Sequence, residues 1–128
     1  MRRGKIIAGA ALLTALGVSL PAGAFDASAL AGTWKWMNFT MVAKPCTTNP
    51  SGAGMCMTVV SGPKNVGMEM IRSKFQDKGG GVFAARIAHP ASGEIYNTKI
   101  RMKGPDTMSM NGCTDAGSCA SGDFIRQK

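Results

Sequence analysis

The residues of this 128-residue chain whose spacing most invites a chemical reading are its methionines. They form three Met-x-Met pairs: Met55 with Met57, Met68 with Met70, and Met108 with Met110. On a strand, residues i and i+2 share a face, so each pair would present two thioethers together. Soft thioethers select Cu(I) or Ag(I), which makes these six residues alternative metal ligands, with Trp34 or Trp36 as a neighbour for the ion. Packing is the stronger explanation. Beyond residue 24 the chain holds one leucine, Leu30, against nine methionines, and methionine is the adaptable filler of irregular cores and apolar pockets. No metal and no cofactor is therefore expected.

Cys46, Cys56, Cys113 and Cys119 allow three pairings, and sequence proximity favours Cys46–Cys56 and Cys113–Cys119. Neither pair is a C-x-x-C, so structural disulfides are expected rather than zinc binding or thioredoxin-type chemistry. Each would close a short loop and contribute about 2–3 kcal/mol. His89, the single histidine, stands beside Pro90 in a predicted turn, where a solvated imidazole is expected. Glu69 and Glu94 are the only glutamates, and nothing in the sequence brings them together. Serines occur without a nucleophile-elbow pattern. No catalytic residue is expected, and the chain reads as non-enzymatic.

The start of the chain sets the compartment. Arg2, Arg3 and Lys5 precede an apolar run from Ile6 to Val18, Pro21 breaks that run, and Ala22-Gly23-Ala24 supplies small-x-small. These features, in this order, predict a cleavable secretory signal over residues 1–24, followed by one domain over 25–128. The run is too short to span a hydrocarbon core of about 30 Å, so the chain is not expected to span a membrane. The protein is expected in the periplasm or outside the cell, where disulfides persist. Beyond residue 24 stand twelve basic and seven acidic residues, a net charge of +5. The bases are dispersed and lack an aromatic platform, so no nucleic-acid partner is expected.

The elements that must position these residues have a period of two. Tyr96, Thr98, Ile100 and Met102 face one way, and Asn97, Lys99, Arg101 and Lys103 the other, as in a half-buried strand. Thr107 to Asn111 repeats the alternation after a Gly104-Pro105-Asp106 turn, and Val82 to Ala88 precedes it. Gly32 to Val42 reads as one long strand with a bulge or a change of exposure. Lys44 to Gly54 reads as a loop, Met55 to Ser61 and Val66 to Arg72 as two strands, and Cys119 to Gln127 as a closing strand. The short piece from Asp26 to Leu30 is the one helical candidate. The fold class is thus all-β: a small antiparallel barrel of about seven or eight strands.

Gly32-Thr33-Trp34 resembles the Gly-x-Trp opening of lipocalin-like (calycin) barrels. Further segments, in order, resemble the bacterial DUF2147 family of small secreted calycin-like barrels. These are Cys46 with Met55-Cys56, Val66-Gly67-Met68-Glu69-Met70-Ile71 with Phe75, the hairpin Arg86 to Tyr96, Asp106 to Cys113, Cys119, and Phe124-Ile125-Arg126. Met57, His89 and Phe124 depart from the family's usual Gly, Asp and Trp. The resemblance covers nearly all of 25–128. It implies a calycin-like barrel in which Trp34 stacks with Arg126 to close one end, a cation–π contact of roughly 0.5–2 kcal/mol. The family has no assigned activity.

The expected function is non-enzymatic binding of a small apolar or amphipathic ligand in the barrel mouth. The predicted lining is Phe83, Ile87, Tyr96, Ile100, Met102, Met108 and Met110. The alternatives are a Cu(I)/Ag(I) carrier and an envelope protein–protein interaction or inhibitor module, whose first contact surface would be the loop 44–54.

Overall fold

The computed structural model describes residues 27–128, so the predicted leader and its cleavage point lie outside the described residues. A single 3-10 turn, Ala27–Leu30, precedes eight antiparallel strands: β1 (Gly32–Trp36), β2 (Phe39–Pro45), β3 (Met55–Ser61), β4 (Gln76–Gly79), β5 (Val82–Ala88), β6 (Ile95–Met102), β7 (Thr107–Cys113) and β8 (Cys119–Arg126). They form one sheet in the order β3-β2-β1-β8-β7-β6-β5-β4. Every pairing joins consecutive strands except that of β1 with β8, the first and last (Trp34 opposite Arg126), and β3 and β4 form the two edges. The sheet curls into a half-barrel. Among the described residues no helix is long and apolar enough to cross a membrane.

The period-two reading holds where one face is wet. In β6, Thr98 and Ile100 are buried while Asn97, Lys99 and Arg101 are exposed. In β7, Met108 and Met110 point inward. Two expectations are corrected. Gly32 to Val42 is not one bulged strand but a hairpin, with Trp36 directly opposite Phe39 and Met37-Asn38 as a two-residue turn. Met37 takes a left-handed φ of 52°, the conformation that lets so short a loop follow the twist of its strands. Val66 to Arg72 is likewise no regular strand, and β4 was not expected at all.

The segment 67–72 spans the gap between β3 and β5. On one side the Val59 N–H donates to Met68 O (3.1 Å) and the Met70 N–H to Met57 O (2.8 Å). On the other, the Ala88 N–H donates to Met70 O (2.7 Å) and the Arg72 N–H to Arg86 O (2.9 Å). The Glu69 carboxylate completes the crossing, one oxygen accepting from the N–H groups of Met57 (2.7 Å) and Ile71 (3.0 Å). β4 then continues along the other half of β5, with its four residues exposed. The ring is thus bridged at one end of β5 and open at the other.

Inside lies a core built on Trp34, Met41, Met55, Met70, Ile71, Ile100, Met108 and Val59, all essentially inaccessible to solvent. Fully burying one such side chain contributes about 1.5–3 kcal/mol. The void left among Leu30, Met55, Met57, Ile100, Met108 and their neighbours is about 10 Å³, room for no more than one water. The interior is filled by the chain's own side chains.

Both disulfides have the expected pairing. Cys46–Cys56 ties the 46–54 loop to β3, and Cys113–Cys119 closes the β7–β8 hairpin. The loop is held further by buried Asn49, whose amide donates to Met55 O (2.8 Å) and Ile71 O (3.1 Å).

Candidate functional site

Two aromatic arrangements occur on β1, and they differ in kind. Trp34 points into the core. Its indole N–H donates to Leu30 O (2.8 Å), and the Arg126 guanidinium lies 4.4 Å from the ring centroid. Arg126 also donates to the carbonyls of Ala31, Ala29 and Pro105 and pairs with Asp106. The guanidinium packs against the backbone of Gly32, where a Cβ would collide with it and where φ is +138°. Each guanidinium nitrogen of Arg126 thus has a partner in the protein itself, and the pair joins the first and last strands of the sheet.

Trp36, two residues on, lies instead at an open cleft of about 50 Å³. The indole stacks on Phe124 (centroids 5.7 Å apart, planes at 19°) and on Phe39 (6.1 Å), and meets the His89 ring edge-on at 5.2 Å. His89 in turn packs against Tyr96 at 5.4 Å. Met70, Met110 and Ile87 add apolar wall. The indole rests directly on the backbone of Gly122 in β8, where a Cβ would occupy its place.

His89 is therefore no solvated turn residue. Its backbone N–H donates to Glu94 O (2.8 Å) and its carbonyl accepts from Gly93 (2.7 Å), and this fixes the turn and aims the ring at the cleft. Burial lowers its pKa from the ordinary 6.5, with Glu94 opposing the shift in part. The Ala91 N–H donates to Nδ1 (3.1 Å), so the neutral ring carries its proton on Nε2. Trp36 Nε1–H, His89 Nε2–H and the Tyr96 hydroxyl have no hydrogen-bond partner among the described residues. The cleft is thus walled mainly by apolar groups, and Trp36, His89 and Tyr96 are among the lining side chains that carry donors.

Of the seven residues predicted to line a ligand site, Ile87, Tyr96 and Met110 line this cleft. Ile100 and Met108 belong to the filled interior, Met102 packs against it, and half-buried Phe83 lies outside the cleft. Trp36, His89, Pro90 and Phe124 are not in the predicted set; they come from three separate stretches of chain. Of the six methionines considered as metal ligands, Met55, Met57 and Met108 are core residues, Met68 packs against the core, and Met70 and Met110 reach the cleft. No group of three or more His, Cys, Asp or Glu residues placed to hold a metal ion occurs among the described residues.

No protein family matches the chain, and neither a curated protein nor a solved structure matches it.

Proposed function

We propose that this is an exported, non-enzymatic binding protein of the calycin-like DUF2147 type, which holds one end of a small amphipathic molecule in the Trp36–His89–Tyr96–Phe124 cleft. The observation that supports this most is the contrast between the filled interior and the open, aromatic-walled mouth. A cavity of about 150 Å³ can hold a benzene ring; at about 50 Å³ the cleft takes only a short alkyl or ring edge. The rest of the ligand would lie outside. A carbonyl, ether or hydroxyl oxygen next to that apolar end would accept from Trp36 Nε1–H, His89 Nε2–H or the Tyr96 hydroxyl.

The test is native mass spectrometry of the chain purified gently from an extracytoplasmic extract, together with fluorescence titration using short-chain alkyl and phenyl alcohols. An organic adduct, and a saturable change in emission that is lost in Trp36→Leu, are the expected results. A bare mass with no saturable response would overturn the reading.

The soft-metal reading draws on Met70 and Met110, which share the cleft with Trp36. It is weakened by His89, whose Nδ1 already accepts from Ala91 and whose Nε2 carries a proton, so that neither nitrogen offers a free lone pair. Ag(I) affinity that survives Met70→Leu with Met110→Leu would reject it.

A further inference from the structure

On the outer face of the sheet, β4 and the residues before it, with β5 and β6, bound a groove of about 460 Å³. That volume falls in the range of about 300–1,000 Å³ usual for sites that hold a small molecule. The groove is polar and differs from the mouth cleft in almost every lining residue. The small side chain of Ala84 forms its floor. Lys74 and Lys78 rise on the β4 side, and Arg86 and Lys99 on the β5–β6 side. Ser73, Gln76, Asn97 and Thr98 add hydroxyl and amide groups, and no acidic residue lines it.

The register explains why these charges converge. Gln76 lies opposite Ala84, and Ala84 opposite Lys99, so a short residue stands between two strands that present long ones. Arg86 pairs at 3.9 Å with Asp115 and donates to Asn97. Lys74, Lys78 and Lys99 form no ion pair with a described residue. Three lysines without counter-charges, brought to one concavity beside Arg86, repel one another, and a multiply charged anion relieves that repulsion.

We propose that this groove binds a ligand carrying two or more phosphate groups. Three of its four cations are lysines, point charges with three donors each. Such point charges can follow the dispersed oxygens of several phosphates without the fixed geometry that a guanidinium fork requires. Soluble polyphosphate and the phosphate headgroups of a lipid surface share this chemistry. The inference does not depend on the mouth cleft, since the two sites share only Thr98.

The experiment uses the disulfide-bonded chain without its leader, with inorganic tripolyphosphate in calorimetry at low salt. Flotation with phosphatidylglycerol vesicles, against phosphatidylcholine alone, runs in parallel. The expected result is one saturable site for tripolyphosphate, weakened at least about tenfold, or about 1.4 kcal/mol, in Lys74→Ala/Lys99→Ala. Ala84→Glu, which puts an acid on the floor, should weaken it as well. Lys35→Ala/Lys44→Ala removes the same charge from β1 and β2 and should change the affinity less than about twofold. Groove-dependent binding to phosphatidylglycerol alone would assign the lipid headgroup as the source, and binding to tripolyphosphate alone the soluble anion. Failure to bind either, or equal losses in both double variants, would overturn the proposal.

Discussion

Two residues do work that their types alone do not announce. Glu69 is the first: its carboxylate accepts from Met57 and Ile71 where regular strand pairing fails between β3 and β5. Charge-assisted bonds to backbone donors are the strong kind, and removing the acceptor leaves two N–H groups unsatisfied. Glu69→Ala should therefore cost about 1–3 kcal/mol in urea unfolding, and Glu69→Gln less. His89 is the second. Its pKa is lowered from 6.5 by burial, so on acidification the unfolded chain takes up this proton before the folded one does. The contribution of His89 is complete above pH 6.5 and is lost as pH falls below it. Protonation also ends the acceptor role of Nδ1 toward Ala91. Thermal melting from neutral pH down to about 5 should show this decline, and His89→Gln should flatten it.

At the scale of the element, the β1–β2 hairpin turns on Met37, a residue with a left-handed φ of 52° and 71% exposure. That conformation costs an L-residue about 1–2 kcal/mol, and glycine adopts it without penalty. Met37→Gly should raise stability by about 1 kcal/mol in chemical denaturation, since no packing is lost. The same turn shows why β1 and β2 read as one strand. Met37-Asn38 carries none of the Asn-Gly or Asp-Gly chemistry that marks a two-residue loop, and apolar residues run on both sides of it. By contrast β6 and β7 were legible, because each has one wet face and alternates cleanly. β4 (Gln76–Gly79) has no buried face, and hence no period to read. Residues 66–72 carry strand-like composition, but a side chain rather than a ladder satisfies part of their backbone. The disulfides were legible from proximity alone. The mouth cleft was not, because Trp36, His89, Tyr96 and Phe124 meet only once β1, β6, β8 and the 89–94 turn are curled together, and nothing in their spacing encodes that meeting.

At the scale of the molecule, one sheet serves two surfaces of opposite character: an aromatic mouth at one place, and a cationic groove on the outer face. The core between them is assembled largely from sulfur-bearing side chains. Met41, Met55, Met70 and Met108 have no solvent exposure, whereas Met37 stands open at the hairpin tip. Hydrogen peroxide should add oxygen to Met37 first, without loss of fold, because its side chain is largely exposed. The sheltered four can react only when the sheet opens, and a sulfoxide there is too polar to be repacked. Peptide mapping during mild peroxide treatment should show Met37 converted early and those four late, at a rate that rises with urea. Each molecule would then carry, as sulfoxides in its interior, a chemical record of how often it had come apart.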